Sequence, residues 1–407
     1  MFLGLDIGTS GVKATVMDDR GGVVAEARRD LVTSVPFAGG AEQAPADWWD
    51  AVVAAVSDLP DRDQVQAIGV TGQMHGAVLL DHAGEVLAPV ILWNDTRAGR
   101  EALVLDRADL RAVAGVQAMA KFPAAKLAWL RTHQPDVVAR ISTILMPKDW
   151  LGFCLHGALV TDPSDAAGTW WFDQKAGDWS GELLAASGAK PGWMPKVKAA
   201  DAVAGHLLSD PATALGLRKG IPIAVGAGDT VAAMIAMGVV APERAFLGIS
   251  TSGQVVKVTS SYVPAPSLHA FSHGFPGLWY QMAALQSGAA PLLALATQRG
   301  CSVADLLAKA DTTTQDLIAD IAETYTVAAR QMGGVVTPLA VGGGAQSDLL
   351  LQALADALGT AVLRPAGAQV GASLGAAKLA ALACGAMSRQ DLAQEPVISA
   401  RFEPKTA

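Results

Sequence analysis

At 407 residues the chain exceeds what a single hydrophobic core usually serves, so two domains are expected. A 51% hydrophobic content with only 17% charged residues excludes a disordered protein, and a formal net charge of -8 disfavours nucleic acid and anionic membrane surfaces as partners. Three widely spaced cysteines, Cys154, Cys301 and Cys384, signal neither a disulfide framework nor a zinc site and fit a reducing cytoplasm.

The chain opens without a basic leader, and its first apolar run is broken at Asp6, so no signal peptide is expected. Strand-like runs at 2–7, 12–17 and 23–27 form a three-strand meander, followed by a helix at 46–57 and a strand at 65–70. After the loop Gly72-Gln73-Met74-His75-Gly76 come strands at 77–81 and 86–92. Segment 98–160 alternates helical patterns with short strands. Segment 161–220, rich in Gly, Pro and Trp, suits a lid or inserted subdomain. Trp48, Trp49, Trp170 and Trp171 are read as packing residues.

From Pro222 to Pro242 the sequence is apolar apart from Asp229 and Thr230. A charge in such surroundings is either a heavy cost or a working group. A strand at 221–225, a turn carrying Asp229 and a helix at about 231–238 are predicted.

The second half begins again with a strand, turn and strand at 245–258. Helices follow at 289–299, 302–310 and 314–332, the last with Thr313 as its expected N-cap. A strand at 336–341 runs into Gly342-Gly343-Gly344, and a helix at 347–358 starts at Ser347. A strand at 361–363 and a helix at 371–384, closed by Gly385, complete the pattern.

Two stretches repeat one phrase. Ile7-Gly8-Thr9-Ser10-Gly11 aligns with Ile249-Ser250-Thr251-Ser252-Gly253 at an offset of 242 residues, which points to two related halves. Each turn presents backbone N–H groups and hydroxyls at its tip, so two such tips facing one another across a cleft can grip a polyphosphate. Taken singly, each is equally an ordinary hairpin, and Gly342–Gly344 an ordinary strand-to-helix turn. Lys13 is equally a solvent-facing strand residue, and His75 a structural hydrogen-bonding group. The order of phosphate turn, acidic loop, second phosphate turn and glycine-rich helix start carries the reading.

With Lys13 and Gly226-Ala227-Gly228-Asp229 added, these residues resemble the FGGY carbohydrate kinases of the actin and hexokinase superfamily. Gly72–Gly76, Ile91-Leu92-Trp93-Asn94-Asp95, Pro147-Lys148-Asp149-Trp150-Leu151 and Ser164–Thr169 resemble the xylulokinase branch. The resemblance implies an α/β fold of two actin-like (ribonuclease H-like) ATPase domains with mixed sheets and an interdomain cleft. They divide as 1–239, binding sugar and carrying the catalytic Asp, and a shortened 240–407, binding nucleotide. It implies ATP-dependent phosphorylation of a pentulose, D-xylulose foremost. The alternatives are a kinase for another ketose or polyol, or a sugar- or nucleotide-binding regulator with weakened catalysis.

The resemblance also implies roles. Asp229 is the general base, and Asp6 holds Mg²⁺. Thr9, Lys13 and Thr251 meet the phosphates of ATP, with Gly343 and Gly344 on the adenosine side. Met74, His75 and Trp93 contact the sugar. The expected partners are a small-molecule sugar and ATP in a cytoplasmic protein, with no nucleic acid and no membrane; a homodimer is left open. Against the family pattern, only about Asp311–Thr314 stands where xylulokinases carry a further strand pair and loop, and the long C-terminal helical tail is absent. Thr230 replaces an expected Asn after the base, and Gly226-Ala227-Gly228 replaces three glycines.

Overall fold

The computed structural model describes residues 1–285, 288–366, 371–394 and 396–405. Two compact units emerge: Met1–Ala236 with Phe271–Gly277 and Gly371–Leu392, and Met237–Ala270 with Leu278–Val370 and Ala393–Ala407. The chain therefore does not divide at one point near 239, because a late segment returns to the first unit.

The first unit is built on a seven-stranded mixed sheet. Its order is Val203–His206, Pro222–Ala224, Ala67–Gly72, Phe2–Ile7, Gly11–Met17 and Val23–Asp30, with Ala227–Gly228 also paired to Ala67–Gly72. Phe2–Ile7 runs antiparallel to Gly11–Met17 and parallel to Ala67–Gly72. The inner strands are apolar on both faces, as a sheet covered on both sides requires. Trp48, Val52 and Val56 from helix Pro45–Ser57 are among the residues that cover it.

The helix Ala372–Ala383, expected in the second half, lies on this sheet. Its sequence explains why. Six alanines and Gly375 give it a thin surface, and glycines on the sheet meet it: a Cβ on Gly4 would lie 1.8 Å from Ser373 O, and one on Gly69 1.8 Å from Ala376 O. On its other side, a Cβ on Gly375 would lie 1.8 Å from Ala232 O in helix Asp229–Ala236. Thr15 and Ser373 share a buried hydrogen bond of 2.7 Å.

The second unit repeats the pattern. Its sheet runs His269–Ser272, Trp279–Leu285, Gly253–Thr259, Ala245–Ile249, Leu339–Val341, Val362–Pro365 and Ile398–Phe402. Ala245–Ile249 is antiparallel to Gly253–Thr259 and parallel to Leu339–Val341, as Phe2–Ile7 is to its two neighbours. The repeated phrase thus marks the same hairpin in each sheet. The turns differ by one residue: Ile7 faces Val12, but Ile249 faces Gly253.

Two expectations are corrected. The helix Thr312–Gln331 is capped by Asp311, whose side chain accepts from Thr314 N at 3.0 Å, so the cap is a carboxylate two positions before the expected Thr313. Segment 161–220 is not a separate lid: Val203–His206 is an edge strand of the first sheet, and Trp170 and Trp171 are buried in the first unit.

Candidate functional site

Strand register fixes the site before any side chain is considered. Lys13, Asp6, Thr71 and Ala227 stand in one row across four strands. Gly228 follows opposite Gly72, and Asp229 opens the next helix. Three mutually parallel strands therefore end together, the edge at which open α/β sheets place ligands. Gly226 makes the approach feasible: its φ is +83°, and a Cβ there would lie 2.0 Å from Val70 O.

Asp6 and Asp229 are both half-buried. Burial, helped by the charge of Asp229 and opposed by Lys13, pushes the Asp6 carboxyl up to about 7. Burial lifts Asp229 to about 6, against Thr230, which donates to its Oδ1 from the backbone N–H at 2.6 Å and from its hydroxyl at 3.3 Å. Asp6 Oδ1 and its row neighbour Thr71 Oγ1 are both buried without a hydrogen-bond partner.

The loop after Ala67–Gly72 lies against this edge. Met74 is buried where Cβ atoms on Gly168 and Gly228 would lie 2.8 and 3.0 Å from it, so small residues shape its slot beside Asp229. His75 takes a φ of +70°. Its Nδ1 lies 2.7 Å from Gly168 O, and Phe122 packs edge-on at 5.1 Å. A carbonyl only accepts, so Nδ1 carries the proton in this contact.

Trp93, expected as an apolar wall, is 46% exposed and also tethered: its indole N–H donates to Thr9 Oγ1 at 2.9 Å. The Thr9 hydroxyl donates in turn to Gln73 Oε1 at 2.9 Å. Thr9 is thereby a joint between the first turn and both loops. Lys13 pairs with Glu26 at 2.7 Å, a partly exposed and readily exchanged contact.

Behind Asp229 lies a buried charge cluster to which sequence reasoning gave no role. Lys148 pairs with Asp149, with Asp162 at 3.1 Å and with Asp165 at 3.8 Å. Burial alone would lower the Lys148 ammonium, but the three carboxylates hold it above the usual lysine range. Burial pushes the Asp165 carboxyl well up, in spite of Lys148 and with help from Asp149, Asp162 and Asp229. The legible signal was the placement of Lys148 and Asp149 inside an otherwise apolar run.

From this cluster a hydrogen-bonded chain leads towards Asp229. Ser164 Oγ donates to Asp162 Oδ2 and accepts from Gly228 N at 3.0 Å, directly before Asp229. Ser164→Ala is expected to cost about 1–2 kcal/mol of stability by stranding that N–H. Denaturant titration reads the change.

In the second unit a cavity of about 640 Å³ has two contrasting walls. Ser250, Thr251, Gly343 and Gly344 form a polar one, and Leu292, Leu293, Val303 and Leu307 an apolar one. Gly342, at φ +94°, turns the chain so closely past Ile249 that a Cβ would lie 2.6 Å from its carbonyl oxygen. Ser347 then caps the helix Asp348–Leu358 by accepting from Leu350 N at 3.2 Å, so a helix N-terminus opens on the same cavity. Thr251, Gly343 and Gly344 are thus brought together here, and Asp6, Asp229, Met74, His75, Trp93, Thr9 and Lys13 in the first unit.

Among the described residues no group of three or more His, Cys, Asp or Glu stands as a metal cage. No described helix is long and apolar enough to cross a membrane.

Comparison with known proteins returns a consistent picture. Residues 1–236 match the FGGY family of carbohydrate kinases, N-terminal domain, and residues 335–384 its C-terminal domain. The xylulose kinase of Escherichia coli (strain K12) is 37% identical over 299 residues, 72% of this chain and 62% of that protein. The xylulose kinase of Klebsiella pneumoniae is 37% identical over 77% of this chain and 66% of its own length. The chain thus aligns with less than two thirds of each of these two relatives. The crystal structure of a xyloylose kinase from Brucella ovis superposes with a TM-score of 0.96 at 33% identity, over 99% of this chain and 94% of that one. The two-domain α/β fold with mixed sheets is that of FGGY kinases, as expected.

Proposed function

Because this chain belongs to the FGGY family of carbohydrate kinases, we propose that it transfers the terminal phosphoryl group of ATP to a hydroxyl of a pentulose, D-xylulose foremost. The observation that carries this reading is the placement of Asp229 beside the Met74–His75 loop at the open end of the first sheet. A carboxylate lifted to about 6 is a competent proton acceptor near neutrality and is ionised there.

In this reading Asp229 takes the proton from the attacking sugar hydroxyl. His75 contacts the sugar, Met74 gives an apolar floor, and Trp93 a flank. In the second unit the apolar wall of the cavity takes the base. Thr251 and the Gly343–Gly344 backbone face the phosphates. From the first turn we assign Lys13 to the phosphates and not the Thr9 hydroxyl, which is already held by Gln73 and Trp93.

The residues present fit Mg²⁺: Asp6 Oδ1 and Thr71 Oγ1 are adjacent buried oxygens without partners, and Mg²⁺ is usually bound by one or two carboxylates plus phosphate oxygens and water. Asp6 would hold the ion, which would neutralise charge on the transferring phosphoryl group.

A coupled ADP-release assay across pentuloses, hexuloses and polyols tests the reading. ADP release that depends on D-xylulose is the expected result. Faster turnover of another ketose or polyol would move the substrate. Binding of sugar and ATP without ADP release would favour a regulator.

A further inference from the structure

Lys126 sits fully inside the first unit, on the second turn of the helix Pro123–His133, at 2% exposure. Its neighbours Ala124, Ala125 and Leu127 are buried as well, so packing alone would be better served by Leu or Met at this place. Burial pushes the Lys126 amine well below the usual lysine range, so its place depends on using its N–H donors. Lys126 Nζ donates to two backbone carbonyls, His75 O at 2.8 Å and Ile91 O at 2.9 Å.

Those two carbonyls belong to different loops. His75 O lies in the loop that carries Met74, and Ile91 O immediately precedes Leu92-Trp93-Asn94-Asp95. One side chain therefore ties together the two segments that flank the sugar in the proposed function. The His75 end of the tie is strained: a non-glycine residue at φ +70° pays a conformational penalty and stays there only when its surroundings over-determine it.

Three contacts do so. Gly168 O holds the imidazole Nδ1, the Phe122 ring packs against the imidazole, and Lys126 holds the carbonyl. Two of the three come from one helix entrance, since Phe122 and Lys126 are one turn apart. Of the three, only the Lys126 contact acts on the backbone oxygen of His75. It is also the one that reaches the second loop.

We propose that Lys126 is a positioning residue for sugar binding: by donating to His75 O and Ile91 O, it holds His75 in its left-handed conformation and sets the spacing between the two sugar-flanking loops. This rests on the reading of those loops as the sugar site. Lys126 reaches the sugar only through the loops, so its removal should weaken sugar binding and leave nucleotide binding alone. A merely structural lysine would disturb both or neither.

Lys126→Met keeps length and volume and removes the donors. In the full-length protein, isothermal titration with D-xylulose is expected to show an affinity at least about tenfold weaker than wild type. The affinity for ATP should stay within about twofold, and the KM for D-xylulose should rise by more than kcat falls. A folded Lys126→Met protein that binds D-xylulose within about twofold of wild type would overturn the proposal.

Should Lys126→Met fail to fold, Lys126→Gln, which retains an amide donor on a shorter stem, is read the same way. A several-fold selective loss of sugar affinity supports the proposal, and unchanged affinity overturns it. If the wild-type protein binds neither D-xylulose nor any other sugar of the panel, the substrate reading itself has failed. The crystal structure of the folded variant then decides about Lys126: His75 relaxed to negative φ supports the positioning role, and His75 retained near +70° refutes it.

Discussion

Asp229→Asn is expected to fold, to bind ATP as the parent does, and to phosphorylate sugar at least about a hundredfold more slowly. That loss corresponds to about 2.7 kcal/mol of transition-state stabilisation. The substitution isolates proton transfer, because an asparagine Oδ1 can still accept from the Thr230 N–H and hydroxyl that now hold Asp229. It also removes the charge that helps push Asp6 up, so Asp6 ionises more readily and its capacity for a cation is kept. Initial rates of ADP release at saturating sugar, with circular dichroism and ATP titration as controls, check the result. Near-normal kcat with every sugar the parent accepts would move the base elsewhere.

Gly375→Ala should be among the most damaging single methyl groups in the first unit. Its Cβ would lie 1.8 Å from Ala232 O and 2.5 Å from Ala232 C, backbone atoms that no rotamer change can move. The helix cannot retreat, because Gly4 and Gly69 already bring the sheet as close on its other side. Overpacking typically costs 1–3 kcal/mol, and a clash against rigid backbone on both sides belongs at the upper end, about 3 kcal/mol. For a unit of this size that lowers the melting temperature by roughly 6–12 °C. Gly99→Ala, with nothing within 4 Å of its Cβ, is the control, expected to be neutral or mildly stabilising. Calorimetric melting of the two variants in parallel separates the clash from the general effect of replacing glycine. Equal melting temperatures would mean that the helix has room it does not use.

Much of this was legible in the sequence, and the particular failures show why the rest was not. Alternating strands around a Thr-Ser-Gly turn are a local pattern, so both hairpins and their repetition could be read directly. Asp229 stood out because a charge in an apolar run is costly wherever it folds. What could not be read is pairing at a distance. Helix Ala372–Ala383 looks like any apolar helix; its place on the first sheet depends on glycines some 300 to 370 residues earlier, spaced to receive it. Lys126 was hidden for the same reason, since a lone lysine in a helix usually faces solvent, and only the fold shows which carbonyls meet it. The Thr9 hydroxyl was assigned outward for want of knowing that Gln73 and Trp93 would claim it.

The return of helix Ala372–Ala383 to the first unit has a consequence for synthesis. When Ala236 leaves the ribosome, the sheet edge that carries Asp6 and Asp229 exists as sequence but lacks the helix that covers Gly4 and Gly69. About 130 more residues must be made first, which at 5–20 residues per second takes on the order of ten seconds. During that interval the uncovered strands form an adhesive apolar face, and the nascent chain is open to chaperones and to misassociation. The parts of the proposed catalytic edge are thus made well before the helix that locks them in place. A ribosome that stalls before residue 371 therefore leaves behind a chain with every proposed sugar-binding residue on a sheet that lacks its covering helix.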